Sequence, residues 1–121
     1  MRLTTLRKIL LSRLEAVEEY PFGPEVMVLK VCGKMFAAVI WEASPLQITV
    51  KCDPSDVGML RELSDSIQPP RYFDKRHWNT LILDGDLPRR EVENMIGQSW
   101  RLVVSGLKKA DRERLLAGGG D

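Results

Sequence analysis

Residues 26–52 read VMVLKVCGKMFAAVIWEASPLQITVKC, and this stretch decides the fold. Val26–Val31 and Met35–Trp41 are apolar runs rich in β-branched residues, split by Cys32-Gly33-Lys34. Two such runs around a central glycine predict a β-hairpin. Ser44-Pro45 marks the next turn. Beyond it, Ile48, Val50 and Cys52 alternate with Gln47, Thr49 and Lys51, the period of a half-buried strand. Three successive strands predict an antiparallel sheet whose open face needs helices over it.

Upstream, Leu3, Leu6, Leu10, Leu14 and Val17 recur at spacings of three and four and predict one amphipathic helix, broken by Tyr20-Pro21-Phe22-Gly23-Pro24. Downstream, Asp53 is read as an N-cap, with Pro54 at the first helical position and Asp56 adding charge to the first turn. Val57, Leu60, Leu63 and Ile67 make that helix's apolar stripe, and Pro69-Pro70 ends it. A fourth strand is expected at about residues 77–84, closed by Asp84-Gly85. A third helix runs from Pro88 through Val92, Ile96, Trp100 and Val103 to Gly106, and residues 109–116 suit a short last helix. The predicted fold class is therefore α+β, a single domain over residues 1–117 with a mainly antiparallel sheet covered by helices. Its order is α-β-β-β-α-β-α with an optional final helix, and residues 118–121 are expected to be a flexible tail.

The chain has 121 residues, 44% hydrophobic and 29% charged, which suits one globular domain rather than a disordered one. Eighteen Lys and Arg against seventeen Asp and Glu give a formal charge of +1. A duplex-DNA binder is usually strongly basic, so any nucleic-acid role must rest on a local patch. The start lacks a secretory signal and no run approaches a membrane span, so a reducing cytoplasm is the expected setting. Arg2, Arg7, Lys8 and Arg13 would also suit a targeting peptide, but Glu15, Glu18 and Glu19 continue the same helical pattern. Cys32 and Cys52 are expected to be unbridged, buried strand residues.

The segment Pro69-Pro70-Arg71-Tyr72-Phe73-Asp74-Lys75-Arg76-His77-Trp78-Asn79-Thr80 interleaves cations with aromatic rings just before a strand. Cations neutralise phosphates and aromatic faces stack on unpaired bases. Arg71, Tyr72, Lys75, Arg76 and His77 are thus the candidate nucleic-acid contacts, with Lys30, Lys34 and Lys51 as possible helpers. In the competing structural reading, Phe73 and Trp78 anchor the loop and its cations are merely solvated.

The chain resembles the MmcQ/YjbR family of small bacterial proteins. The resemblance rests on Tyr20-Pro21-Phe22-Gly23, Lys30-Val31-Cys32-Gly33-Lys34-Met35-Phe36 and Lys51-Cys52-Asp53-Pro54. It continues through Pro69, Lys75-Arg76-His77-Trp78, Asp84-Gly85 and Leu87-Pro88. It implies a frataxin-like (CyaY-like) fold and a proposed double-wing DNA-binding role. Tyr72 and Asp74 stand where that family often places a histidine and an asparagine.

His77 is the single histidine and has no metal-spacing partner, so it is expected to hydrogen-bond in the loop or donate to a ligand. Frataxins, which the fold resembles, carry an acidic ridge on their first helix. Glu15, Glu18, Glu19 and Glu25 offer a thin version of one, a weak cation site at the acidic end of helix 1. No GxSxG, Walker loop, CxxC or HExxH occurs, and neither a catalytic residue nor a cofactor is expected. The leading expectation is a non-enzymatic binding module that contacts nucleic acid, DNA in the first place. A protein-interaction or regulatory module and the weak metal site stand as alternatives.

Overall fold

The computed structural model describes residues 1–119. Its elements run α1 (Leu3–Leu11), β1 (Ala16–Glu19), β2 (Val26–Val31), β3 (Lys34–Ile40), β4 (Leu46–Lys51), α2 (Val57–Leu63), β5 (Ile67–Gln68), β6 (Trp78–Leu83), α3 (Arg89–Ser105) and α4 (Lys109–Gly119). The strands form one antiparallel sheet in the order β1-β2-β3-β4-β6-β5. The α+β class and the predicted succession of elements hold, with β1 and β5 as two further short edge strands.

The alternation of β4 sorts the sheet into two faces. Leu46, Ile48 and Val50 point to one side with Leu83, Leu81 and Asn79, their partners on β6. Here lies the core, where Leu6 and Leu10 of α1, Ile96 and Trp100 of α3 and Leu115 of α4 are fully or almost fully buried. β3 contains one extra residue. Leu29 pairs with Ala37 and Lys30 with Met35, so Phe36 is a bulge and is fully buried in this core. Ser99 of α3 closes the gap: its hydroxyl donates to the Phe36 carbonyl and accepts the Lys51 amide at 2.8 Å.

The hairpin turn is tighter than Cys32-Gly33-Lys34. Val31 pairs with Lys34, leaving two turn residues, Cys32 (φ 48°) and Gly33 (φ 78°). Two successive positive φ values match the primed turns that follow the right-handed twist of strands. This geometry places Cys32 in solvent, against the expectation that both thiols are buried; Cys52 is buried as expected.

The first helix is shorter than its periodicity suggested. It stops at Leu11, where the Ser12 hydroxyl donates to the Ile9 carbonyl at 2.6 Å. Glu15 adopts φ 56°, and Ala16–Glu19 continue as a strand with Val17 half exposed. The glutamates therefore form no helical ridge, because successive strand residues face opposite sides. Glu18 binds Arg7 at 2.6 Å, Glu19 binds Lys30 at 3.1 Å, and Glu15 binds Arg114 at 2.9 Å. Glu25 stands apart, just before β2. Among the described residues no group of three or more His, Cys, Asp or Glu side chains is placed to hold a metal. The acidic end of helix 1 is thus corrected to a set of ion pairs.

The second helix starts later than predicted. Asp53 instead caps the preceding turn, accepting from the Ser55 amide and hydroxyl at 2.9 and 2.7 Å. Asp56 is the residue before the helix. Of the expected stripe, Val57 is buried and Leu60 packs against the core, but Leu63 is 72% exposed and Ile67 has passed into β5. At the other end of the chain, α4 runs to Gly119, while Gly120 and Asp121 of the expected tail lie outside the described residues. Among the described residues no helix is long and apolar enough to cross a membrane.

Candidate functional site

The second face of the sheet is built from the alternate residues. Register aligns Val28, Ala38, Thr49, Thr80 and Gln68 in one row across β2, β3, β4, β6 and β5. A second row holds Val26, Ile40, Gln47 and Ile82. Residues 69–73 and Phe22 arch over this face, leaving a groove of about 770 Å³. Roughly 300–1,000 Å³ is the usual span of small-ligand sites. The Thr49 and Thr80 hydroxyls on its floor bond each other at 2.8 Å. Among the described residues, the Gln47 carboxamide has no protein hydrogen-bond partner.

Aromatic contacts hold the arch in place. The Phe73 ring packs on Trp78, centroids 5.7 Å apart, and meets Phe22 edge-on at 6.4 Å. Phe73 and Trp78 are half-buried, as anchors should be. Tyr72 is different. It is 79% exposed, and the Arg71 guanidinium sits 5.7 Å from its ring centroid. Phe22 is 61% exposed at the same groove.

Asp74 organises the turn that follows. Its side chain accepts from the Arg76 amide at 2.8 Å and from His77 Nδ1–H at 2.6 Å, while its carbonyl accepts the His77 and Trp78 amides. The Arg76 amide first, and then His77, hold the Asp74 carboxyl below its ordinary value. An asparagine there would keep an acceptor for the Arg76 amide.

Arg61 of α2 clamps this turn from behind. It donates to the Asn79 side chain at 2.7 Å, to the Trp78 carbonyl at 3.2 Å and to the Lys75 carbonyl. The tether leaves Arg71, Lys75 and Arg76 in solvent, and among the described residues none of the three forms an ion pair. Of the expected helpers, Lys30 is occupied by Glu19. Lys34 and Lys51 lie at the same end of the sheet as the 74–77 turn, Lys34 beside the hairpin turn and Lys51 opposite Trp78. Arg71 and Tyr72 thus sit on the groove, and Lys75, Arg76 and His77 on the turn beside it. Sequence reading missed Arg61 and Gln47. Neither carries a local signal, because their roles depend on packing and on register.

The YjbR family model matches residues 11–102. The chain is 32% identical over 99 residues to the uncharacterised protein YbdF of Escherichia coli O157:H7, covering 82% of this chain and 81% of that one. It is 28% identical over 88 residues to the uncharacterised protein YjbR of Escherichia coli K12, covering 73% and 75%. In three dimensions it is similar to the crystal structure of Deinococcus radiodurans protein DR2400, described as a DUF419 domain. That match has a TM-score of 0.87 at 32% identity and covers 98% of this chain and 94% of that one. A Pseudomonas syringae protein gives a TM-score of 0.74 at 22% identity, covering 84% and 98%, a likeness of fold.

Proposed function

Because the chain belongs to the YjbR family, we propose that it is a small non-enzymatic binding module of the cytoplasm that grips nucleic acid through Arg71, Lys75 and Arg76. One observation carries this reading: Lys75 and Arg76 stand exposed on a turn clamped by Asp74 and Arg61, Arg71 stands exposed on the groove beside it, and among the described residues none of the three side chains forms an ion pair. A preformed turn spares the cost of ordering the backbone on binding, and phosphates are natural counter-ions for its cations. Tyr72 and His77 flank the cations as further contacts. Net charge is small, so binding is weak, micromolar or poorer, as for non-specific contacts.

The test is retention on single-stranded DNA, duplex DNA and RNA over a salt series. Three phosphate contacts correspond to a slope of log K against log salt of about −2 to −3, from ~0.7–0.9 per phosphate. Reversal of Lys75 and Arg76 to glutamate should abolish retention while leaving the fold intact, since exposed charges add little to stability. Absence of retention at low salt, or indifference to the double reversal, refutes the reading. A protein-interaction module is then preferred, on the observation that Met59 and Leu63 of α2 are 54% and 72% exposed.

A further inference from the structure

We infer that the groove on the helix-free face of the sheet seats an unpaired base of a single-stranded nucleic acid, a step that rests on the phosphate-binding reading above and adds a second contact to it. Two large rings, Phe22 and Tyr72, are left in water at one groove while Phe73 beside them is half-buried against Trp78. Exposed aromatic faces are stacking platforms for bases, and a guanidinium placed beside such a ring, as Arg71 is beside Tyr72, stacks as well.

The floor suits a flat heterocycle. Thr49 and Thr80 share one hydrogen bond, which leaves one of the two hydroxyls free to donate, and Ala38 adds a small apolar surface between the strands. Gln47 brings a carboxamide with an open donor and an open acceptor, and Gln68 Nε2 is engaged by the Asp65 carbonyl at 3.0 Å while its oxygen is not. Base edges present complementary pairs of such groups. Charge is arranged to match, with Arg71 on the groove and Lys75 and Arg76 on the adjoining turn, so a base enters while its phosphates stay outside. In a duplex both base faces are stacked and the pairing edges are used, so only a single strand can comply. Stacking and phosphate pairing leave the 2′-hydroxyl unread, so DNA and RNA single strands are equivalent ligands.

The experiment measures the full chain at fixed low salt against four probes: an oligodeoxythymidine strand, the same backbone made abasic throughout, the matching duplex, and oligouridine. The base-bearing strands should bind alike. They should exceed the abasic strand and the duplex by roughly five- to a hundredfold, the effect of stacking one base or more. Phe22→Ala and Tyr72→Ala should lower strand affinity toward the abasic level without changing the salt slope, because no cation is removed. Thermal unfolding checks that both variants remain folded. Equal binding of abasic and base-bearing strands, or unchanged affinity in both variants, overturns the groove and leaves the phosphate reading standing. A strong base effect that survives reversal of Lys75 and Arg76 overturns the phosphate reading instead. Failure of every probe to bind overturns both.

Discussion

Arg61 Nε donates to Asn79 Oδ1 at 2.7 Å, joining a helix side chain to a fully buried strand amide. The same Asn79 donates to the Val57 carbonyl at 3.2 Å, so one carboxamide links both ends of α2 to β6. Arg61→Ala strands a buried acceptor and frees the Lys75 and Trp78 carbonyls. A loss of about 1–3 kcal/mol is expected in urea unfolding, with faster hydrogen exchange in residues 75–78 than in β4. Unchanged exchange there would show that the clamp does not hold the turn.

Ser99→Ala removes the single group that completes β3 and β4 at the bulge. The Phe36 carbonyl and the Lys51 amide both lose their partner in the protein interior. Each orphaned buried group costs about 1–3 kcal/mol, so this conservative change should rank among the most damaging in α3. A variant within about 0.5 kcal/mol of wild type, the range of ordinary surface changes, would contradict that role.

The two thiols should react at very different rates. Cys32 is exposed at the hairpin turn, whereas Cys52 is buried and its thiol is pushed up chiefly by that burial. One equivalent of an alkylating reagent should add quickly to native protein, with the second added only on unfolding. Cys32→Ser should abolish the fast phase. Two fast phases would mean that the core opens at Cys52.

Cys32 also occupies a backbone conformation that L-residues other than asparagine and aspartate seldom adopt. Cys32→Asn should therefore raise stability by up to about 1 kcal/mol, read as a higher urea midpoint at constant slope. A lower midpoint would show that contacts of the thiol with Arg114 and Glu15 outweigh the backbone term.

Acid should weaken the protein through specific aspartates. The Ser55 hydroxyl and amide hold Asp53 low, the Arg76 amide and His77 hold Asp74 low, and the Asp86 amide and Ser66 hydroxyl hold Asp84 low. A carboxyl lowered in the native state binds fewer protons than the unfolded chain, whose aspartates titrate near ~3.9. The stabilisation is complete above that value and is lost as pH falls through the lowered native values. Urea midpoints at successive pH values should therefore fall below about pH 4, and Asp74→Asn with Asp84→Asn should flatten that limb. An unaltered limb in the double variant would place the acid sensitivity elsewhere, for example at Glu18, which Arg7 holds low.

The strands β2 and β3 were legible as apolar, β-branched runs around a glycine turn, and β4 from its alternation of apolar and polar residues, although all three are buried along most of their length. β1 was not, since the spacing of Leu14 and Val17 continues the period of α1, although the helix stops at Leu11 and Glu15 at φ 56° precedes the strand. Leu63 and Ile67 extended the stripe of α2 on paper, yet one is exposed and the other belongs to an edge strand of two residues. The cations of residues 71–76 could be found from composition alone. The groove beside them is assembled from single residues of separate strands, Ala38, Gln47 and Thr80 among them, and is visible only once the register is known.

Arg114 and Leu115 belong to the last helix but complete structure made far earlier in the chain. Arg114 grips Glu15 across 99 positions, and Leu115 is fully buried in the core that holds Leu6 and Leu10. On a ribosome, which delivers residues in order, the sheet and first three helices emerge before this plug exists. Contacts so distant in sequence close late because the intervening chain must first be ordered. A nascent domain halted before residue 109 should therefore present an unsealed apolar seam beside Leu14 and Trp100, a surface suited to chaperone capture until α4 has emerged.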